Sequence, residues 1–427
     1  MNKYFEKAVE KTKELVQIKS VKEPPIDGMP FGKGVADALN YFLDLAKSLG
    51  FETVNYDNYI GEVVFGEGND KDGFAILCHL DVVPEGDESK WTYPPYSGVE
   101  VNGEIYGRGI VDDKAPAVLC LYALKELKDS GFVPSKKIKL ILGCDEESGW
   151  DCIEHYSKVA VMPSEGFSPD GDFPVIYAEK GILHVEFSFD YDSRLISLSG
   201  GERVNMVPGF ATAKVDSLTE SEIKILKGVG LTVEENVVKS YGKSAHGSTP
   251  EIGENALKRL FIGLGSVGLI DLDVYSGLFL NEDYFSEIKD ETGKLTFSPD
   301  VCFLSDGKLK VQTDIRYPAT FPLDKILELV LELGEYKILH EQAPIMCEKD
   351  GKLVKTLLDI YNKEFNASEL PIAIGGGTYA RALKNGVAFG PSMLTDNMCH
   401  VPNEKMKISS MAKCYNVYYK AIEKLTK

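Results

Sequence analysis

A short run with no polar residue, Phe74-Ala75-Ile76-Leu77-Cys78, sets the strongest limit on how this chain can fold. A strand on a sheet with one wet face alternates apolar and polar residues; an unbroken apolar run is expected where both faces are covered, as in parallel sheets. Ile138 to Leu142 reads as a second such strand. Helical patterns lie around them. Val35 to Leu49 places apolar residues at Val35, Leu39, Phe42, Leu43, Ala46 and Leu49 and stops at Gly50, and Ala115 to Lys128 is followed by Gly131. Strands alternating with helices predict an α/β fold whose mostly parallel sheet carries helices on both faces.

Between His184 and Met346 the pattern changes. His184-Val185-Glu186-Phe187-Ser188-Phe189 and Lys308-Leu309-Lys310-Val311-Gln312 alternate as half-exposed antiparallel strands do, and Ala256 to Gly265 and Asp324 to Leu333 read as helices covering one face. From Lys349 the first pattern returns, with a helix over Lys352 to Phe365 and a strand over Val387 to Phe389. A chain of 427 residues exceeds what one core usually serves. The expected plan is an α/β domain made of residues 1–183 and 347–427, with an α+β domain of residues 184–346 inserted into it.

Composition narrows the partners. The 66 acidic against 47 basic side chains leave a formal charge of −19, which repels nucleic acid and anionic membrane surfaces, so neither is an expected partner. The first residues run into a charged amphipathic pattern without an apolar leader, and the stretch around Leu260 to Ile270 is too short to span a bilayer. Eight scattered cysteines with no CxxC pair fit free thiols in a reducing compartment, and the expected location is cytoplasmic.

Polar clusters sit where strands should end. His79-Leu80-Asp81 follows the Phe74 strand, Asp145-Glu146-Glu147 follows the Ile138 strand, and Pro169-Asp170 lies in a loop before Phe173-Pro174-Val175-Ile176. Asp112-Asp113-Lys114 precedes the Ala115 helix, and His400 arrives from the far C-terminal part. In parallel sheets, ligands bind at the carboxyl edge of the strands. Imidazole nitrogens and carboxylate oxygens together suit zinc-like ions, and two such ions about 3.5–4 Å apart need a shared carboxylate. Glu146 and Glu147 offer one base and one ligand. Taken singly, each cluster has an ordinary alternative: Asp112-Asp113 could cap the helix, Glu146-Glu147 could be solvated surface, and His400 could be a satisfied histidine. Buried together at successive strand ends, acidic pairs cost too much to be incidental. Cys78, Cys144 and Cys399 beside these motifs are expected as small packing residues, and His155, His184 and His340 as structural.

The motifs His79-Leu80-Asp81-Val82-Val83-Pro84, Gly107-Arg108-Gly109 with Asp112-Asp113-Lys114, and Asp145-Glu146-Glu147-Ser148-Gly149-Trp150 resemble, in order, those of the metallopeptidase family of carboxypeptidase G, aminoacylase, succinyl-diaminopimelate desuccinylase and carnosinase. Gly166-Phe167-Ser168-Pro169-Asp170, Ala245-His246-Gly247-Ser248-Thr249-Pro250-Glu251, Asp314-Ile315-Arg316-Tyr317-Pro318, Gly375-Gly376-Gly377-Thr378-Tyr379-Ala380-Arg381 and Met398-Cys399-His400 resemble its dipeptidase V (Xaa-His dipeptidase) branch. The resemblance runs over nearly the whole chain.

It implies two divalent metal ions, zinc with manganese as the alternative. Asp112 would bridge them, His79 and Asp170 would complete one site, and Glu147 and His400 the other. Asp81 would orient the His79 ring. Glu146 would be the general base, taking a proton from a metal-bridging water and delivering it to the leaving amine. The family also has a cis peptide after the bridging aspartate, here Asp112-Asp113. The inserted domain would be a lid carrying His246 for the oxyanion and Arg316 for the substrate carboxylate, with Asn205, Gly376, Gly377 and Thr378 also touching substrate. The implied activity is that of a dipeptidase on small peptides, acting as a monomer. A deacylase of N-acyl amino acids or N-succinyl-diaminopimelate is the nearest rival, and an inactive peptide- or metal-binding protein is a rival of another class.

Overall fold

The computed structural model describes residues 2–281, 285, 287–395 and 398–427. The chain divides into two compact units: Met1–Tyr177 with Met346–Ile372 and Thr378–Lys427, and Ala178–Ile345 with Ala373–Gly377.

At the centre of the first unit, the strand Phe74–His79 runs parallel to Ile138–Gly143 on one side and Glu165–Ser168 on the other. Asn385–Ala388 adds a further parallel strand beside Glu165–Ser168. Every residue of the two strands predicted from their apolar runs is buried, which is why neither shows alternation. Lys139 is the polar exception, and its ammonium meets Oε1 of Glu62 at 2.9 Å inside the sheet. One flank is antiparallel: Ile60–Phe65 joins Ile138–Gly143, and Glu52–Tyr56 joins Ile60–Phe65. The α/β class is as the sequence predicts, with the parallel strands as the sheet's core and antiparallel pairing at its flank.

The helix Lys114–Asp129 is buried continuously from Lys114 to Leu124. It packs on Phe74–His79 on one side and against Lys3–Val16 and Ile408–Leu425 on the other, so it is apolar nearly all round. Lys33–Ser48 packs on the antiparallel flank, where Leu39 and Leu43 leave room only for Gly61. Its end follows from Gly50, whose φ of +85° lets its N–H reach Lys47 O while Phe51 N–H reaches Ala46 O.

The second unit holds an antiparallel sheet in the order Thr232–Glu234, Val237–Tyr241, Phe210–Val215, Leu195–Gly200, Thr296–Ser305, Lys308–Tyr317, Gly181–Phe189 and Tyr336–Gln342. Leu183, Val185 and Phe187 point to one core together with Leu257, Leu260, Phe261 and Leu264 of the helix Ala256–Ser266. This is the α+β architecture anticipated from the alternation. The division falls at Ala178, before His184 and within the strand Ile176–Glu179. The unit also takes in Ala373–Gly377, whose Ile374 carbonyl accepts the Lys180 N–H at 3.0 Å. The strand expected over Val387 to Phe389 lies at Asn385–Ala388.

Candidate metal centre

The parallel register pairs Phe74 with Ile138 and His79 with Gly143, so neighbouring strands end level. His79 is the last residue of its strand, Asp145–Glu147 follow Gly143, and Asp170 follows Ser168. One sheet edge therefore receives an imidazole and several carboxylates from local chain geometry alone. Asp112 comes from the loop before Lys114–Asp129, and His400 from the loop before Lys405–Lys407.

Asp112 is the hub. Its Oδ1 lies 2.7 Å from Nε2 of His79, and its Oδ2 lies 3.0 Å from Nε2 of His400. The same His400 nitrogen is 3.1 Å from Oε2 of Glu147. Two clusters result, His79 with Asp112 and Asp170, and Asp112 with Glu147 and His400, each with donor atoms within 4.8 Å of one another. Among the described residues no other group of this kind occurs. Two imidazoles and three carboxylates divided around one shared carboxylate are a donor set that fits two divalent cations. Glu146 belongs to neither cluster.

The electrostatics fit a site that expects positive charge. Burial alone would raise the Asp112 carboxyl, but His400 and His79 hold it far below the carboxylate range. Burial would lower both imidazoles; Asp112 outweighs it, with Asp81 aiding His79 and Glu147 aiding His400, whose pKa rises to about 11. Burial, then Asp112, pushes Asp170 up to about 7. Burial also raises Glu146 well above its ordinary value, with His79 opposing and Asp170, Glu147 and Asp112 reinforcing. Unneutralised carboxylates at this density disfavour ionisation, and a bound cation would reverse that.

Asp81 meets His79 and the loop after the neighbouring strand through different groups. Nδ1 of His79 faces the Asp81 backbone carbonyl at 2.9 Å, whereas the nearer carboxylate oxygen is 3.7 Å away. The Asp81 carboxylate instead accepts the backbone N–H of Glu146 and of Glu147, each at 3.1 Å. Asp145 shapes the same loop, accepting from the Ser148 hydroxyl at 2.8 Å and the Asp151 N–H at 3.2 Å while Lys22 pairs with it at 2.7 Å. The capping alternative for Asp112-Asp113 does not describe the structure. Asp113 holds the N-cap position without a side-chain cap bond, and its Oδ2 accepts the His79 N–H at 3.3 Å. The Asp112–Asp113 peptide is cis, as the resemblance implied.

Sequence reasoning missed Tyr379. It is fully buried, its ring packs edge-on to His79 with centroids 6.0 Å apart, and its hydroxyl meets Cys152 Sγ at 2.8 Å. Its sequence neighbour Thr378 caps the short turn Tyr379–Ala382 through a bond from the Ala380 N–H at 3.2 Å. All eight cysteines are free thiols. Cys78 and Cys144 are fully buried, and burial raises both thiols, which suits packing and not nucleophilic attack. His155 stacks on Tyr59 at 4.2 Å, away from both clusters.

The other expected residues lie in the second unit. His246 is exposed, and its Nδ1 accepts the Ser248 N–H at 3.1 Å, which puts the ring proton on Nε2. The Asn205 carbonyl accepts the Gly247 N–H at 2.7 Å and so shapes the same loop. Arg316 is buried and not open as a fork. Its Nε and Nη2 engage Asp314 at 2.7 and 2.9 Å, and Nη1 donates to the Gly375 carbonyl at 3.1 Å, which ties it to the loop holding Gly376 and Gly377. The Nε–Nη2 edge of the guanidinium is thus taken by an internal carboxylate.

Residues 75–424 match the model of peptidase family M20/M25/M40. A Bacillus subtilis (strain 168) protein named "Putative dipeptidase YtjP" is 36% identical over 99% of this chain and 98% of its own length. Among solved structures, the M20 family metallo-carboxypeptidase Sso-CP2 of Sulfolobus solfataricus superimposes with a TM-score of 0.60 at 17% identity, covering 99% of both chains. Human carnosine dipeptidase 1 does so with a TM-score of 0.59 at 15% identity, covering 99% of this chain and 97% of its own. These two likenesses speak to the fold.

Proposed function

The chain belongs to peptidase family M20/M25/M40, and on that premise we propose that it is a dipeptidase working with two divalent cations. The observation that carries this reading is the Asp112 carboxylate, whose two oxygens face His79 and His400 separately. His79, Asp112 and Asp170 would hold one cation, and Asp112, Glu147 and His400 the other, with zinc favoured over manganese by the two imidazoles. Bound there, the ions would polarise the scissile carbonyl and ease ionisation of a water at neutral pH.

The protein's own groups do the rest. Glu146, standing outside both clusters with a raised carboxyl pKa, takes the proton of the attacking water and returns it to the departing amine. Asp81 fixes Glu146 through its backbone N–H. His246, with its proton on Nε2, supplies a donor to the developing oxyanion. Arg316, oriented by Asp314, meets the substrate carboxylate with its remaining N–H groups, alongside Asn205, Gly376, Gly377 and Thr378. The second unit, residues 184–346 by sequence, acts as a lid, and the enzyme is a cytoplasmic monomer. Among the described residues no helix is long and apolar enough to cross a membrane.

The test is a substrate panel on metal-loaded protein. Free dipeptides should be cleaved well ahead of tripeptides, C-terminally amidated dipeptides, and N-acetyl or N-succinyl amino acids, and a chelator should abolish turnover reversibly. Preference for the N-acyl substrates would make the protein a deacylase. Equal cleavage of amidated and free dipeptides would remove the role given to the substrate carboxylate.

A further inference from the structure

Arg108 and Glu404 form an ion pair that is 2% and 1% exposed, with Nη1 of Arg108 donating to Oε2 of Glu404 at 2.7 Å. Neither belongs to the two donor clusters. The same carboxylate accepts two backbone N–H groups of the Asp112 loop, Gly109 at 3.1 Å through Oε2 and Val111 at 2.9 Å through Oε1. The Glu404 carbonyl accepts the Gly107 N–H at 2.9 Å. Arg108 in turn donates to the carbonyl of Val401, the residue after His400, at 3.4 Å. Its other terminal nitrogen reaches the Pro84 carbonyl at 3.4 Å, and Trp91 covers the guanidinium at 5.3 Å.

One buried carboxylate thus grips the backbone immediately before Asp112, and its guanidinium partner grips the backbone immediately after His400. These are the two residues whose nitrogen and oxygen stand 3.0 Å apart across the second cluster. Glu147, by contrast, follows its strand end and is held by Asp81. His79 ends its own strand, and Asp170 follows the end of another. Two of three donors of the second cluster therefore depend on this hub, and only Asp112 of the first does.

We propose that Glu404 is a positioning residue that sets the separation of Asp112 and His400, and thereby the affinity of the Asp112–Glu147–His400 cluster for its cation. The proposal rests on the two-cation reading above. It predicts a selective effect: the second cluster weakens and the first is largely spared. A residue that only supports the fold would weaken both together.

The experiment is a Zn²⁺ titration of metal-free protein against a chromophoric chelator, repeated with Co²⁺ to follow the ligand-field spectrum of each step. His400→Ala and His79→Ala identify which binding step belongs to which cluster. In Glu404→Gln, the step lost in His400→Ala should weaken by about 10–100-fold, the range for residues that orient metal ligands. The step lost in His79→Ala should move far less. Should Glu404→Gln not fold, Arg108→Lys keeps the charge but drops the grip on Val401, and the same step should weaken. Equal weakening of both steps, or of neither, overturns the role of Glu404. Wild-type protein that takes up fewer than two ions overturns the two-cation reading itself.

Discussion

Oδ1 of Asp81 accepts the backbone N–H of Glu146 at 3.1 Å. The residue two positions after His79 thus holds the loop that carries the proposed base. Glu147 is held from the other oxygen of the same carboxylate, so the candidate ligand and the proposed base are fixed as a unit.

Glu146→Gln should lower kcat by about 10²–10⁴-fold, because it removes the proposed proton shuttle and no candidate metal donor. Metal content should stay at two ions per chain. Asp81→Ala should lower both metal affinity and kcat, since it frees Glu147 and Glu146 together. Near-normal turnover in Glu146→Gln, measured on fully loaded protein, would show that the base lies elsewhere.

Loss of Asp112 should differ in kind from loss of a histidine. Asp112→Ala removes the donor common to both clusters and should weaken both ions, whereas His79→Ala or His400→Ala should each weaken one first. Elemental analysis after dialysis reads the outcome. Two ions retained in Asp112→Ala would rule out the bridging role.

Metal-free protein should lose stability as pH rises through about 7, in part because of Asp170. Its folded-state pKa is raised to about 7 from an ordinary 3.8, so its proton favours the native state most fully below about pH 4, and that contribution is lost by the time the group ionises. Asp170→Asn cannot ionise. Without metal it should therefore be more stable than the wild type at pH 8, by about 2–4 kcal/mol, with the gap closing toward pH 4. With Zn²⁺ present the order should reverse, because the variant lacks a donor. Denaturant melts at the two pH values decide it; a gap that does not depend on pH would mean that Asp170 is not the group responsible.

His246 should complete the site of its own chain if the enzyme is a monomer. Mixing inactive Glu146→Gln protein with inactive His246→Ala protein should then restore no activity, and each should sediment at the mass of one chain. Recovered activity would show that one subunit lends its histidine to another.

The sequence by itself determined the classes of structure and the identities of the candidate donors. Phe74–His79 was legible because a strand buried on both faces leaves an unbroken apolar run. Lys352–Phe365 was legible because a helix buried on one face repeats its apolar residues every turn. His79 and Glu147 stand out because they come at or just after the ends of two such strands, and Asp170 because it sits in a short loop motif before Phe173-Pro174-Val175-Ile176. What it could not determine was which polar groups face one another. Asp112 meets His79 across 33 residues of chain and His400 across 288, and no local period encodes either distance. The tertiary structure alone decided that the Asp81 carboxylate serves the Glu146–Glu147 backbone and that Glu404 reaches back to the Asp112 loop. A buried carboxylate takes whichever donors the packed chain brings within about 3 Å, and that choice exists only once distant loops have met.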